Sequence, residues 1–425
     1  MYKKESGQVL ILTTLASIAL LGFVSFVTDI GLVFYDKKIL QTVADSAALG
    51  GAAEILYGNI ATGATTAATL NNFISGTNGA TLAVNHPPTS GPHLGDSNFV
   101  EAIAANVQPM YFAKILGINS TNVSARAVAV GLGPLAASKN CIYALGNPGN
   151  TSTNYITMNG SQTYTAGCGV IDNGGLAMNG SGAINASSIG LAGSYSNNGS
   201  GGASPTPVTG MMQVNDPLAY LTPPATTSSP VMANPSINGS NTTTLNPGYY
   251  SSGISINGSG TVNFNPGTYT IGGNGISING SSTIHFGSGM YMFTSGDLTV
   301  GGSQTISGSD VTFYFGPSAG SVNGNGSPNF QLSAPTTGSY AGILFYQNPA
   351  NSNAATFNGS SNSGLTGALY FPSASLNLNG SQSSSLYSIL VAQSINSNGS
   401  QNVTMSGNYS SLPNGSPIHS TKLVE

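Results

Sequence analysis

A chain of 425 residues that is 40% apolar has material for two or three domains and a sizeable core, yet only 5% of it is charged, against about 25% in an ordinary globular protein. Between Cys141 and Lys422 there is no Lys or Arg, and the carboxylates of that stretch are Asp172, Asp216, Asp297 and Asp310. Nucleic-acid binding needs clustered cations and acid–base chemistry needs clustered titratable groups, so composition weighs against both.

The N-terminus departs from this pattern. From Val9 to Thr28 there are 20 residues without a charge; at 1.5 Å per residue a helix of that length spans about 30 Å, the hydrocarbon thickness of a bilayer. Lys3 and Lys4 precede the run, so the positive-inside tendency predicts residues 1–8 in the cytoplasm, a span over 9–28, and everything from Asp29 onward across the membrane. A cleaved secretory signal is the competing reading, but the run is longer than the usual h-region and no small-x-small site follows it. Leu32, Ile39, Val43 and Leu49 continue near helical spacing into Ala-rich turns, which predicts one long helix to about Leu56, half in lipid and half outside.

Residues 60–132 read as a small α/β module. "TTAATLNNFI" suits a short helix, "ATLAVN" and "FVEAIAANVQ" alternate like strands, "PMYFAKILG" reads as a helix begun by Pro109 and stopped by Gly117, and "NVSARAVAV" alternates again. The loop between the first two strands carries His86, His93 and Asp96, whose spacing matches no recognisable metal site; solvated loop residues are the simpler reading.

Two stretches resemble the TadE/G-like family of tight-adherence (Flp) pilus-assembly proteins. One is "SGQVLILTTLASIALLGFVSFVTDIG" followed by "ILQTVADSAALGGA", with Leu40, Gln41, Ala44, Asp45, Ala47, Ala48 and Leu49; the other is "VEAIAANVQPMYFAKILGINSTNVSARAVAVG", Val100 to Gly131. The resemblance implies an envelope location and association with pilus machinery, and it implies no reaction. Prepilin-type processing looks for Glu five residues after a Gly at the edge of the apolar run; Gly7 is followed at that distance by Leu12, so a retained anchor is expected.

From Asn140 onward, short apolar runs with period-2 alternation are broken by Gly, Asn, Pro and Ser. The triplet Asn-Gly-Ser opens at Asn159, Asn179, Asn198, Asn238, Asn257, Asn279, Asn325, Asn358, Asn379, Asn398 and Asn414, with many gaps of 19 to 22 residues. Such a period predicts a solenoid with one turn per repeat, here a right-handed parallel β-helix over 136–421. Asn-Gly supplies positive-φ corners at little steric cost, and stacking places Asn above Asn in a ladder formed by Asn159, Asn179, Asn238, Asn257, Asn279, Asn358, Asn379 and Asn398. The triplet is also a formal glycosylation sequon, a second and weaker reading. Corners at "NPGYY", "NPGTY" and "GSGMY" bring Tyr249, Tyr250, Tyr269 and Tyr291 into line, either as an exposed aromatic strip for sugars or proteins or packed under the turns. Residues 203–236 are Pro-rich and would break a ladder, so they read as a strap crossing the solenoid or a linker between two shorter ones. Cys141 and Cys168, 27 residues apart at the start of the repeats, suggest one disulfide in an oxidising compartment, tying the cap of the solenoid to its first rung, with two unpaired buried thiols as the alternative.

The mainly β fold expected is therefore an N-terminal transmembrane helix, an α/β module over 29–135, a β-helix over 136–421 and a short tail over 422–425. The function expected is a non-catalytic component of a Tad/Flp-type pilus system, held in the cytoplasmic membrane with its C-terminal domain extracytoplasmic, acting in assembly, anchoring or adhesion. Partners would be pilus or envelope proteins, the membrane, surface polysaccharide, or further copies of the chain, with no cofactor, metal or nucleic acid. A pilin-like filament subunit or tip adhesin is the first alternative, and a β-helical polysaccharide-active enzyme, by analogy of fold, the second.

Overall fold

The computed structural model describes residues 6–133, 137–360, 363–380, 382–383, 388–400 and 402–425. It contains two compact units, Met1–Ala136 with His419–Glu425, and Ala137–Ile418.

The first unit is organised by one 48-residue helix, α1 (Ser6–Ala53). Its N-terminal half is apolar and exposed, and α1 is long and apolar enough to cross a membrane. Its C-terminal half buries Leu40, Val43, Ala44, Ala47, Ala48 and Ala52. That face packs on α2 (Ile60–Leu70) and on an antiparallel sheet of β1 (Thr81–Asn85), β2 (Phe99–Pro109) and β3 (Ser120–Val130). Small side chains are required where the two helices cross: a Cβ on Gly50 would come within 2.6 Å of the Gly63 carbonyl oxygen. Gln41 donates to Asp45 at 2.7 Å and to the Arg126 carbonyl at 3.2 Å, which ties the helix to β3.

Two expectations are corrected here. Pro109 ends β2 instead of starting a helix, and the helix expected after it shrinks to a 3-10 turn, Ala113–Leu116, closed by Gly117 at φ 87°. Residues 422–425 are no loose tail, because Lys422–Leu423 pairs antiparallel with β3 as the fourth strand of the sheet.

The second unit is a parallel β-solenoid of about 11 turns. Its rungs, in chain order and by their described strands, run from 140 to 166, 169 to 185, 189 to 204, 236 to 245, 248 to 264, 267 to 286, 289 to 308 and 311 to 333, then 343–357 with 363–366, 367–378 with 382–383, and 388–399 with 402–405. The period sets the register, with Ser236 opposite Ser255 and Ile254 opposite Ile276. Inward positions repeat from rung to rung, so like side chains stack: Tyr269 on Tyr291 at 4.8 Å between ring centroids, Tyr291 on Phe313 at 5.3 Å, Phe313 on Phe345 at 5.1 Å. Offset aromatic stacking of this kind adds about 0.5 to 1.5 kcal/mol per pair beyond burial.

The order of rungs in space differs from their order in the chain. The last rung, 388–405, pairs with the first, 140–166: Ile395 lies opposite Ile156 and Val403 opposite Tyr164. The chain therefore enters the stack at the third rung from one end, climbs through 169–185 to 189–204, and restarts at the opposite end with 236–245. Residues 205–235 make the return journey along the outside. Eleven rungs at about 4.8 Å need about 50 Å, well within the reach of 31 residues at about 3.3 Å each.

The strap is held all along its course. Val208 exchanges backbone bonds with Ile189 and Leu191 at 2.9 and 2.8 Å, Val214 bonds to Asn173, the Tyr370 hydroxyl donates to Asp216 at 2.6 Å, Tyr346 donates to the Leu221 carbonyl at 3.0 Å, and Met232 bonds to Tyr249 at 2.8 Å. Beneath it the strands Val311–Phe315 and Ile343–Gln347 are buried on both faces, which is why "AGILFY" reads as a continuous apolar run.

Candidate functional site

The chemistry of the first unit centres on Asp29, one residue past the uncharged run, which is 5% exposed. Its carboxylate accepts three successive backbone N–H groups, from Tyr111 at 3.0 Å, Phe112 at 3.1 Å and Ala113 at 2.7 Å. The loop between β2 and β3 is thereby fastened to α1, and its own turn is closed by bonds from Met110 to the Asn119 carbonyl and from Ile118 to the Ala113 carbonyl. The arrangement satisfies the free N–H groups at the start of a 3-10 turn with a charge. An apolar groove lined by Phe26, Ile30, Phe112, Ile115 and Ile118 runs beside it.

Glu101 is fully buried in β2. Burial alone would raise its pKa, but donors from Thr89, Arg126 and Asn85 outweigh that and hold it at about 2. Ser90 donates as well, at 2.9 Å. Arg126 bridges Glu101 and Glu425, so the ion pair clamps the C-terminal residue to the sheet. His86 donates to the Ser97 carbonyl at 2.8 Å, His93 stacks on Phe99 at 3.9 Å, and Asp96 accepts from the Asn98 N–H at 2.9 Å. These three loop residues are thus engaged separately and do not converge.

In the solenoid the Asn-Gly-Ser corners form two runs of side-chain amides. Asn198 donates to Asn179, Asn179 to Asn159, Asn159 to Asn398 and Asn398 to Asn379, at 3.0, 2.9, 3.0 and 3.3 Å. Asn279 donates to Asn257 and Asn257 to Asn238, both at 3.3 Å. All bonds run in one direction, and the first run crosses the junction between the ends of the sequence-ordered repeats. Asn358 does not join: its Oδ1 is buried without a hydrogen-bond partner, and the run stops at Asn379.

The glycine of the triplet answers to two causes: Gly160, Gly326, Gly399 and Gly415 take the positive φ expected of the corner, at 123°, 93°, 114° and 73°, and others do not. Gly180, Gly199, Gly258 and Gly280 do not have positive φ. A Cβ on Gly258 would instead lie 2.0 Å from the Gly239 carbonyl oxygen, and one on Gly280 1.8 Å from that of Gly258. Close approach of successive rungs, not left-handed backbone, excludes a side chain there.

Of the two arrangements expected for the tyrosines, the packed one is found and the exposed strip is not. Tyr250, Tyr269 and Tyr291 are buried inside the solenoid and form no exposed strip; only Tyr249 is half-buried. Each buried hydroxyl reaches back four residues to the carbonyl that opens its own corner: Tyr250 to Asn246 and Tyr269 to Asn265 at 2.7 Å, Tyr291 to Gly287 at 2.8 Å. The Pro-Gly corner is therefore a turn pinned from inside. Buried phenols need such partners, and each of these finds one within its own turn.

Cys141 and Cys168 are disulfide-bonded with Cα atoms 5.7 Å apart. They join the rungs that lie third and second from the 189–204 end of the stack. Asp172 is buried next to the strap with only the N–H groups of Ile156 and Gly174 as partners, at 3.0 and 2.7 Å, and burial pushes its pKa up to about 7. Asp297 accepts from the Ser321 N–H at 2.8 Å, Asp310 sits in a turn at φ 57°, and His285 meets the Ser307 hydroxyl at 2.6 Å. Among the described residues no three His, Cys, Asp or Glu come together as a metal site would require.

Residues 7–54 match the family described as Flp pilus-assembly TadE/G-like, so the N-terminal region carries a domain of that kind. The match covers α1 almost end to end, and the segment Val100–Gly131 lies outside it. No curated protein and no solved structure matches the chain.

Proposed function

We propose that this chain is a membrane-anchored, non-catalytic component of a Tad/Flp-type pilus system that displays its β-solenoid outside the cytoplasmic membrane, acting in pilus assembly, anchoring or surface adhesion. The observation that carries the reading is the coincidence of the pilus-assembly match, residues 7–54, with a single unbroken helix, Ser6–Ala53, whose first half is apolar and exposed. Such a helix is both a membrane anchor and the rod on which the small module is built. Lys3 and Lys4 favour the N-terminus staying inside.

The solenoid supports a structural role. Its polar side chains are spent on stacking and on holding the strap, and Asp172, Asp216 and Asp297 are each engaged by separate partners. Glycoside hydrolysis needs two carboxyl groups facing one substrate, and elimination needs acidic calcium ligands beside a base. A disulfide fits an oxidising compartment.

The test is fractionation of producing cells, with an immunoblot for the intact chain in the cytoplasmic membrane and in mechanically sheared surface filaments. Retention in the membrane is expected. Recovery in the sheared filaments would replace this reading with that of a filament subunit or tip adhesin.

A further inference from the structure

The loop fastened by Asp29 carries an unusual surface. Tyr111, Phe112, Ile115 and Ile118 are all exposed, Ile115 at 85%, within a ten-residue connection whose turn is held by backbone bonds from Met110, Ile115, Gly117 and Ile118. Water-facing loops gain nothing from four such residues in eight positions, and a contiguous apolar patch of this kind marks a surface that something else covers. The loop lies against α1 at Phe26 and Ile30, so its apolar residues continue the exposed apolar surface of the helix without a break.

Charge placement points the same way. Asp29 looks from the sequence like the point at which α1 enters water, yet its carboxylate is enclosed by three N–H donors from the loop and is 5% exposed. A charge satisfied in this manner can sit below a membrane surface at a much smaller cost than a bare one. Beyond it Phe34 and Tyr35 are exposed, and Asp36, Lys37 and Lys38 follow. Aromatic residues flanked by charges are the signature of a membrane–water boundary. Tyr35 lies six residues past Asp29, which is about 9 Å along the helix. Lys114, exposed within the loop, has a side chain long enough to reach headgroups from that depth.

We propose that residues 110–119 form a membrane-interface element: Tyr111, Phe112, Ile115 and Ile118 seat in the lipid leaflet from which α1 emerges, and the water boundary lies near Asp36, not at Asp29. The occupant of the patch is the bilayer itself, because the patch is continuous with the membrane-spanning surface. The loop then fixes the depth of the small module, and Asp29 is the latch that keeps it against the helix. This rests on α1 spanning a membrane.

The chain contains no Trp, so a single Trp reports one position cleanly. The full chain would be reconstituted in phosphatidylcholine nanodiscs, with and without brominated acyl chains, as three variants: Ile115→Trp in the loop, Phe23→Trp in the span, and Leu70→Trp on the exposed end of α2. Ile115→Trp and Phe23→Trp are expected to emit at short wavelength and to be quenched by the bromolipid. Leu70→Trp is expected to be quenched by aqueous acrylamide alone. If Phe23→Trp responds to bromolipid while Ile115→Trp responds only to acrylamide, the loop is in water and the proposal is wrong. If Ile115→Trp responds to neither quencher, protein covers the patch, and lipid is again excluded. A Phe23→Trp insensitive to bromolipid would instead overturn the membrane span, and the proposal with it.

Discussion

Replacing Gly258 with Ala separates two explanations of the Asn-Gly-Ser corner. If the glycine at Gly239 and Gly258 served a left-handed turn, both would suffer alike from a Cβ. The structure says otherwise: at Gly258 a Cβ would stand 2.0 Å from the Gly239 carbonyl oxygen, whereas at Gly239, in the terminal rung, the nearest atom is 3.9 Å away because no rung lies beyond it. Ordinary contact needs more than 3 Å, so Gly258→Ala must push neighbouring hydrogen-bonded rungs apart by about 1 Å against backbone on both sides. Overpacking a well-filled site costs about 1 to 3 kcal/mol, and a clash with backbone belongs at the upper end of that range or beyond it. Gly239→Ala leaves φ unstrained and should stay within about 0.5 kcal/mol of the parent. Thermal unfolding of the full chain in detergent, followed by near-ultraviolet circular dichroism of the stacked tyrosines, reads the difference. Equal losses at the two positions would refute the stacking explanation.

Further outcomes follow from the same geometry. Gly301 stands where Asn279 and Asn325 leave a gap in the amide line, and a Cβ there would lie 3.3 Å from the Asn279 Oδ1, the end of a side chain that has only to shift by a few tenths of an ångström, so Gly301→Asn should add two exposed hydrogen bonds and raise stability by about 1 kcal/mol in the same melt. Asp172, at about 7 in the folded chain against 3.8 when unperturbed, binds its proton more tightly folded than unfolded; its contribution is complete below pH 4 and is lost as pH rises to 7, by about 4 kcal/mol. Asp172→Asn should remove that slope from the solenoid's stability profile between pH 4 and 7, although its amide turns an N–H toward one of the two backbone donors; an unchanged slope would show that the buried carboxyl is not its source. Asp29→Ala should free the loop from α1, speeding amide hydrogen exchange at Tyr111, Phe112 and Ala113 while leaving β2 and β3 protected; unchanged exchange would mean that the latch is unnecessary.

Much of the architecture is written into local sequence. The uncharged run before Asp29 and the Ala-rich turns after it specify one helix because both halves keep helical periodicity, although one faces outward and the other packs on a sheet. The 19 to 22 residue recurrence specifies a parallel stack because identical corners can superpose only at one turn per repeat. What local pattern could not supply was the order of the rungs. "NGSQ" at Asn159 and "NGSQ" at Asn379 look alike, and nothing in either says that the rung of Asn159 sits on the rung of Asn398. That information lies in the Pro-rich strap, whose length fits a return along the whole stack, and in the tyrosines Tyr346 and Tyr370, whose hydroxyls hold it. The tyrosine corners show the same limit, since Tyr four residues after the turn fits an inward pin and an outward strip equally until burial decides. The fourth strand, Lys422–Leu423, was hidden because two residues carry no periodicity and pair with a partner about 290 positions away.

The central claim, a solenoid carried outside the cytoplasmic membrane by α1, is tested most directly by labelling a cysteine in the strap. Met212 is 90% exposed, and Cys141 and Cys168 are consumed by their disulfide, so Met212→Cys provides one reactive thiol on the solenoid. Spheroplasts of producing cells would be treated with a membrane-impermeant maleimide before and after lysis. Full labelling before lysis is the predicted result; labelling only after lysis would place the solenoid in the cytoplasm and contradict the account.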